Sequence, residues 1–132
     1  MFLPIVAYGQ SILRKVGVAI DASYPQLNEL IADMWETMYK SNGVGLAAPQ
    51  INKSIRLFVI DTIQIVEGFD EEDKKEYPNE KGVKKVFINA QIIEESGEEW
   101  AYNEGCLSIP KVREDVNRKK VVLIKYQDEH FV

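Results

Sequence analysis

Residues 24–40 carry one amphipathic helical pattern, and the apolar runs after it have the spacing and composition of strands. Leu27, Leu30, Ile31, Met34 and Met38 recur at helical intervals and make a single apolar face. Ser23 is placed to cap this helix, Pro25 suits its first turn, and Glu29 lies near the positive end of its dipole. Asn42-Gly43 supplies the stop. Met34, Trp35 and Met38 could mark a ligand patch, but their spacing is read as an ordinary core stripe.

The strand candidates are residues 55–61 (IRLFVID), 86–94, 98–102 and 121–126 (VVLIKY), all rich in β-branched and aromatic residues. Ser96-Gly97 is read as the turn of a hairpin between the second and third, feeding directly into EGCLS. Residues 67–85 read as a charged surface loop, and the acid run 70–73 lacks the spacing of a calcium loop. One early helix followed by mostly antiparallel strands gives the class α+β. The last strand runs into a polar turn around His130, which leaves an exposed edge and an uncovered sheet face.

At 132 residues the chain is read as one domain, 1–132, able to bury about two thirds of its unfolded surface. A net charge of −5 argues against direct nucleic-acid binding, which needs clustered cations to displace counterions. The contiguous Arg118, Lys119 and Lys120 are read as the solvated approach to the final strand. No run reaches the length of a membrane span, and a single cysteine excludes an internal disulfide framework. The expected setting is a reducing, cytoplasmic one with no membrane partner.

Two segments could carry chemistry. GVGLAAPQ, residues 43–50, follows the helix directly; its two glycines permit unusual backbone and a close ligand approach, and Gln50 offers a carboxamide. Taken alone, Gly-x-Gly reads as a helix stop and tight loop. It is no phosphate cradle, because no Lys-Ser/Thr follows. EGCLS, residues 104–108, holds the single cysteine, which could be core filler, a nucleophile or a metal ligand. Gly105 allows a sharp turn before Cys106, Glu104 is an awkward neighbour for apolar burial, and Pro110 is expected to end strand pairing. The only histidine that could serve a thiolate as base is His130, and nothing in the sequence supports that pairing.

GVGLAAPQ and EGCLS, in this order and between this helix and these strands, resemble the first two of three signature motifs of the peptide deformylases. The segments ETMYKSNGVGLAAPQ, IRLFVID and EGCLSIPKVREDVNRKKVVLIKY extend the likeness along the chain, and residues 64–85 look like a variable insertion.

That resemblance implies a peptide-deformylase-like fold and metal-dependent hydrolysis of the N-terminal formyl group of formyl-methionyl nascent polypeptides, with formate released. It implies a divalent metal, Fe²⁺ first with Zn²⁺ or Ni²⁺ as substitutes, and work close to the ribosome. Residue by residue, Cys106 resembles the thiolate ligand, and Gln50 with the backbone N–H of Leu107 resembles the oxyanion donors. Gly43 and Gly45 resemble backbone that holds an extended substrate, with Gly45 counted among the catalytic set. Val44 resembles a residue near the methionine pocket, Arg113 one at the peptide edge, and Glu104 and Arg118 a supporting ion pair. The third motif, His-Glu-x-x-His on a C-terminal metal-binding helix, does not occur in this sequence. The chain is therefore expected to be a shortened deformylase that binds metal poorly and is inactive alone. The alternative is a non-catalytic relative that binds peptide in the groove or self-associates through the uncovered sheet.

Overall fold

The computed structural model describes residues 1–106 and 108–132, without the side chains of 102–105, 109–115 and 120. Helix α1 spans Leu27–Lys40, and strands β1 (Gly45–Ala47), β2 (Leu57–Asp61), β3 (Lys84–Cys106) and β4 (Ile109–Gln127) form one sheet in that order. Every neighbouring pair is antiparallel. The apolar stripe of α1 packs on the first three strands: Leu27, Ile31, Met34 and Met38 share a core with Leu46, Leu57, Val59, Val86 and Ile88. Met34 and Met38 are fully buried and Leu30 partly so, which makes the stripe core and leaves no ligand patch on it.

The two ends of α1 differ in how well local sequence anticipates them. The helix starts three residues later than its pattern suggests, because Ser23 bonds the side chain of Asp21 and Gln26 takes a left-handed conformation before the first turn. At the other end Asn42 (φ 58°) donates to the Tyr39 carbonyl at 3.1 Å and Gly43 to the Met38 carbonyl at 2.9 Å. That is the Schellman pattern, with asparagine in the left-handed position. The expected stop is there, and no glycine conformation is needed for it.

Ser96-Gly97 is not a hairpin turn. Residues 84–106 form one continuous strand whose partner is 109–127, and the register steps from Ser96↔Val121 to Glu99↔Lys119. Three steps on β3 oppose two on β4, so one residue bulges, and Gly97 (φ 83°) accommodates it. A similar step lies between Ile88 and Gln91, where Asn89 has φ 55°. Bulges bend the strand that carries them, and here the long β3–β4 hairpin returns its tip to the start of the fold. Pro110 lies inside β4, and the register passes from Gly105↔Arg113 to Cys106↔Ile109, so the proline falls within a wide bulge. Arg118 and Lys119 are exposed within β4 and do not precede a strand.

The charged segment after β2 also departs from expectation. It folds into two short helices, α2 (Ile63–Glu67) and α3 (Glu71–Glu76). The acid run is the reason for the second: Asp70 accepts from the Asp73 N–H at 2.8 Å, and Asp73 accepts from the Asp70 N–H at 3.3 Å. This reciprocal cap nucleates a turn that has no apolar stripe to reveal it. Ile92, Ile93, Val121, Val122 and Leu123 are all exposed on β3 and β4, and the alternation of Val121, Val122 and Leu123 along the strand spreads this apolar surface over both faces of the hairpin. No helix among the described residues is long and apolar enough to cross a membrane.

Candidate active site

Both motif segments meet at Gln50. Residues 48–51 form a 3₁₀ turn just after β1, which points the Gln50 side chain back across the strand and toward the β3–β4 tip. Its Oε1 accepts from the Ala47 N–H at 2.9 Å. Its Nε2 lies 3.6 Å from Cys106 Sγ and 3.3 Å from Ser108 Oγ. The N-terminal segment ties the same two pieces together: the Val6 N–H donates to the Gln50 carbonyl at 2.6 Å and the Tyr8 N–H to the Ser108 carbonyl at 2.9 Å. Ser108 is buried, 5% exposed, and sequence reasoning passed over it although it lies inside the quoted motif.

Strand β1 is the first in the sheet order, so among the described residues one of its sides carries no strand. The Asp61 N–H donates to the Val44 carbonyl at 2.8 Å, which fixes the alternation of the ladder. Gly45 and Ala47 therefore turn their backbone groups to the open side, and the Ala47 N–H there is the one that Gln50 holds. The glycines do not need exotic backbone: neither Gly43 nor Gly45 has positive φ, and a Cβ on Gly45 would meet Ile60 and Val59 at an ordinary 3.5 Å. Val44 is exposed at the start of this edge.

The remaining candidates are less gathered. Cys106 is a free, exposed thiol, which removes the core-filler reading. Leu107 lies outside the described residues, as do the side chains of Glu104 and Arg113. The register sets Arg118 opposite Trp100 and Glu104 opposite Glu114, four positions apart on the ladder. His130 is exposed in the turn after β4, where its N–H donates to Asp128 at 2.8 Å. That bond, with a second from the Val132 N–H, holds the Asp128 carboxyl below its usual range. Beneath the edge strand, Tyr39 Oη donates to the buried carboxylate of Asp61 at 2.6 Å. Burial first, and this bond second, push the Tyr39 phenol up to about 12.

Chemically, the arrangement offers an open backbone edge, a carboxamide N–H and a soft thiol within a few ångströms of one another. A catalytic metal centre normally uses three protein donors. Among the described residues no three of His, Cys, Asp and Glu come close enough to hold an ion, so Cys106 fits one ligand position and no second is supplied.

Comparison with known proteins places this arrangement. The sequence model of the polypeptide deformylases matches residues 2–132. The peptide deformylase of Flavobacterium johnsoniae is 58% identical over 134 residues, covering 100% of this chain and 67% of that protein. Among solved structures, a peptide deformylase from Thermotoga maritima superposes with a TM-score of 0.78 at 32% identity, covering 100% of this chain and 78% of the other. A class I type b peptide deformylase from Acinetobacter baumannii, solved with Met-Ala-Ser bound, gives 0.78 at 31% identity, covering 97% and 77%. The chain spans about two thirds of the length of the curated relatives it matches. By its sequence along the whole of residues 2–132 and by its fold, this chain belongs to the polypeptide deformylase family.

Proposed function

We propose that this chain supplies the peptide-binding strand and the oxyanion-side donors for hydrolysis of the N-terminal formyl group of formyl-methionyl peptides. Removal of that formyl group is the reaction of the family. The observation that carries the reading is the Gln50 carboxamide, anchored on β1 and aimed at Cys106. Hydroxide adds to the formyl carbon, negative charge gathers on its oxygen, and the C–N bond breaks to give formate and a free amine. Gln50 Nε2 and the Leu107 N–H are the donors assigned to that oxygen, and such pre-aimed donors are worth about 100-fold in rate each. Gly43 and Gly45 hold the substrate backbone as an added strand, with Val44 beside the methionine side chain and Arg113 along the peptide edge. Cys106, as thiolate, is one donor to a divalent metal, Fe²⁺ or its Zn²⁺ and Ni²⁺ substitutes, which when bound supplies water of lowered pKa. The substrates are nascent chains, so the work belongs in the cytoplasm near the ribosome.

Formate release from formyl-Met-Ala-Ser tests this, measured with Fe²⁺ on this sequence and on Gln50→Ala, each extended at its C-terminus by a His-Glu-x-x-His segment that supplies the remaining ligands. Turnover that falls about 100-fold in the variant supports the assignment, and turnover indifferent to Gln50 removes it. The lone thiol among the described residues favours one second reading, peptide capture without turnover. Formyl-Met-Ala-Ser binding without formate release would establish it.

A further inference from the structure

Helices α2 and α3 and the turns beside them, together with Trp100 on β3, line an open cavity of about 790 Å³ that none of the assigned site residues lines. Its lining combines the apolar and aromatic Ile65, Val66, Phe69, Tyr77 and Trp100 with the acidic Asp73, Glu76 and Glu80. Two connections tie it to the candidate site. On one side Gln64, the second residue of α2, donates to the Gly43 carbonyl at 3.4 Å, where β1 begins. On the other, Trp100 lies on the same strand as Cys106, six residues upstream.

These connections set a direction. A formyl group placed between Gln50 and Cys106 sits at the C-terminal end of β1. A peptide on the open edge then runs antiparallel to β1 and leaves past Gly43 and Val44, toward α2. Six strand residues span about 20 Å, the reach of roughly six extended residues of a substrate. The cavity beside α2 and α3 therefore meets residues of the nascent chain well beyond the first three.

We propose that this cavity is a distal subsite that takes the fifth to seventh residues of the substrate and favours a basic side chain there. The proposal rests on the deformylase reading for the direction of the peptide. The chemistry of the occupant follows from the walls: the alkyl stem of Lys or Arg packs on Phe69, Tyr77 and Trp100, and its charge faces Asp73, Glu76 and Glu80. Tyr77 and Trp100 are 45% and 41% exposed, so both present ring surface to a ligand without refolding. An acidic side chain at the same place would meet three carboxylates and bind less well.

Equilibrium binding of labelled peptides tests this by fluorescence anisotropy. The probes are formyl-Met-Ala-Ser and two formyl-heptapeptides that begin with it and carry Lys or Glu at positions 5–7. The Lys heptapeptide is expected to bind about fivefold tighter than the Glu one at low salt. That preference should vanish in Glu76→Lys and shrink in Trp100→Ala, with the tripeptide's affinity unchanged in both. Equal affinities for the two heptapeptides, or a preference that survives both variants, would overturn the subsite while leaving the deformylase reading intact. A Lys heptapeptide that binds as well without its formyl group, beside a tripeptide that does not bind, would remove the deformylase reading instead. Absence of binding by all three would remove both.

Discussion

The carboxamide nitrogen of Gln50 stands 3.6 Å from the sulfur of Cys106, a residue 56 positions further along the chain. The same side chain accepts from the Ala47 N–H, so its two ends have separable duties. Gln50→Glu keeps an acceptor for Ala47 and discards the donor; Gln50→Ala discards both. In the protein extended by the His-Glu-x-x-His segment, formate release should fall about 100-fold in each. Thermal stability should separate them, with only Gln50→Ala losing about 1 kcal/mol. A Gln50→Glu protein with full turnover would refute the donor role.

Tyr39 and Asp61 give a pH prediction. The phenol donates at 2.6 Å to a carboxylate that is 6% exposed, and its pKa in the folded protein is pushed up to about 12. An unfolded tyrosine titrates near 10, so the folded state holds this proton more tightly. The stabilisation is complete below about pH 10 and is lost as pH rises toward 12. Because Tyr39 is 36% exposed, solvent screening keeps the loss to about 1 kcal/mol. Tyr39→Phe should flatten this alkaline limb in urea titrations, and at pH 7 should cost about 1–2 kcal/mol by depriving Asp61 of a donor. A limb of unchanged steepness in the variant would assign the loss to other groups.

What was legible in the sequence is what repeats or is spelled locally. Met34 and Met38 announce the core face through helical spacing, and IRLFVID announces β2 through its branched side chains. The motif reading likewise brought Gln50 and Cys106 to one place. Features decided at a distance were not legible. Gly97 reads as a turn until a partner strand runs past it, when it becomes a bulge. Helix α3 (Glu71–Glu76) has no buried stripe, only a reciprocal Asp70–Asp73 cap, so periodicity cannot find it. Ser108 gives no local sign that its hydroxyl will meet Gln50.

Gly82 tests how tightly the α2–α3 segment is clasped to the sheet. It has φ 75°, and a Cβ there would lie 2.7 Å from the backbone N and Cα of Ile63. Alongside it the Thr62 N–H donates to the Val83 carbonyl at 2.8 Å, and the Val83 N–H donates to Thr62 Oγ1 at 2.7 Å. Gly82→Ala should cost about 1–2 kcal/mol for the left-handed backbone and more for the collision. Hydrogen exchange should show faster exchange at Thr62 and Val83. Gly68→Ala is the control, since its Cβ would meet carbonyls at 3.6 and 3.7 Å, and it should be near neutral. Equal effects from the two substitutions would mean that the clasp contributes nothing.

The exposed apolar residues of the long hairpin predict behaviour in solution. Ile92 is 64% exposed, and Ile93, Val121, Val122 and Leu123 are exposed with it. The register sets Glu94 against Leu123 and Ser96 against Val121, so these apolar side chains fall on adjoining stretches of β3 and β4. Side chains alternate along a strand, so Val122 shares a face with Ile92 and Ile124 while Val121 and Leu123 point to the other; burying this apolar surface releases water from both partners and favours association. Sedimentation velocity on these 132 residues should show a weight-average mass that rises with concentration. The double variant Ile92→Lys with Val122→Lys should remove that rise. Its melting temperature should hardly change, since neither residue belongs to the buried cluster. A single monomeric boundary at the highest soluble concentration of the parent chain would defeat the prediction, and association that persists in the variant would move the contact to another face.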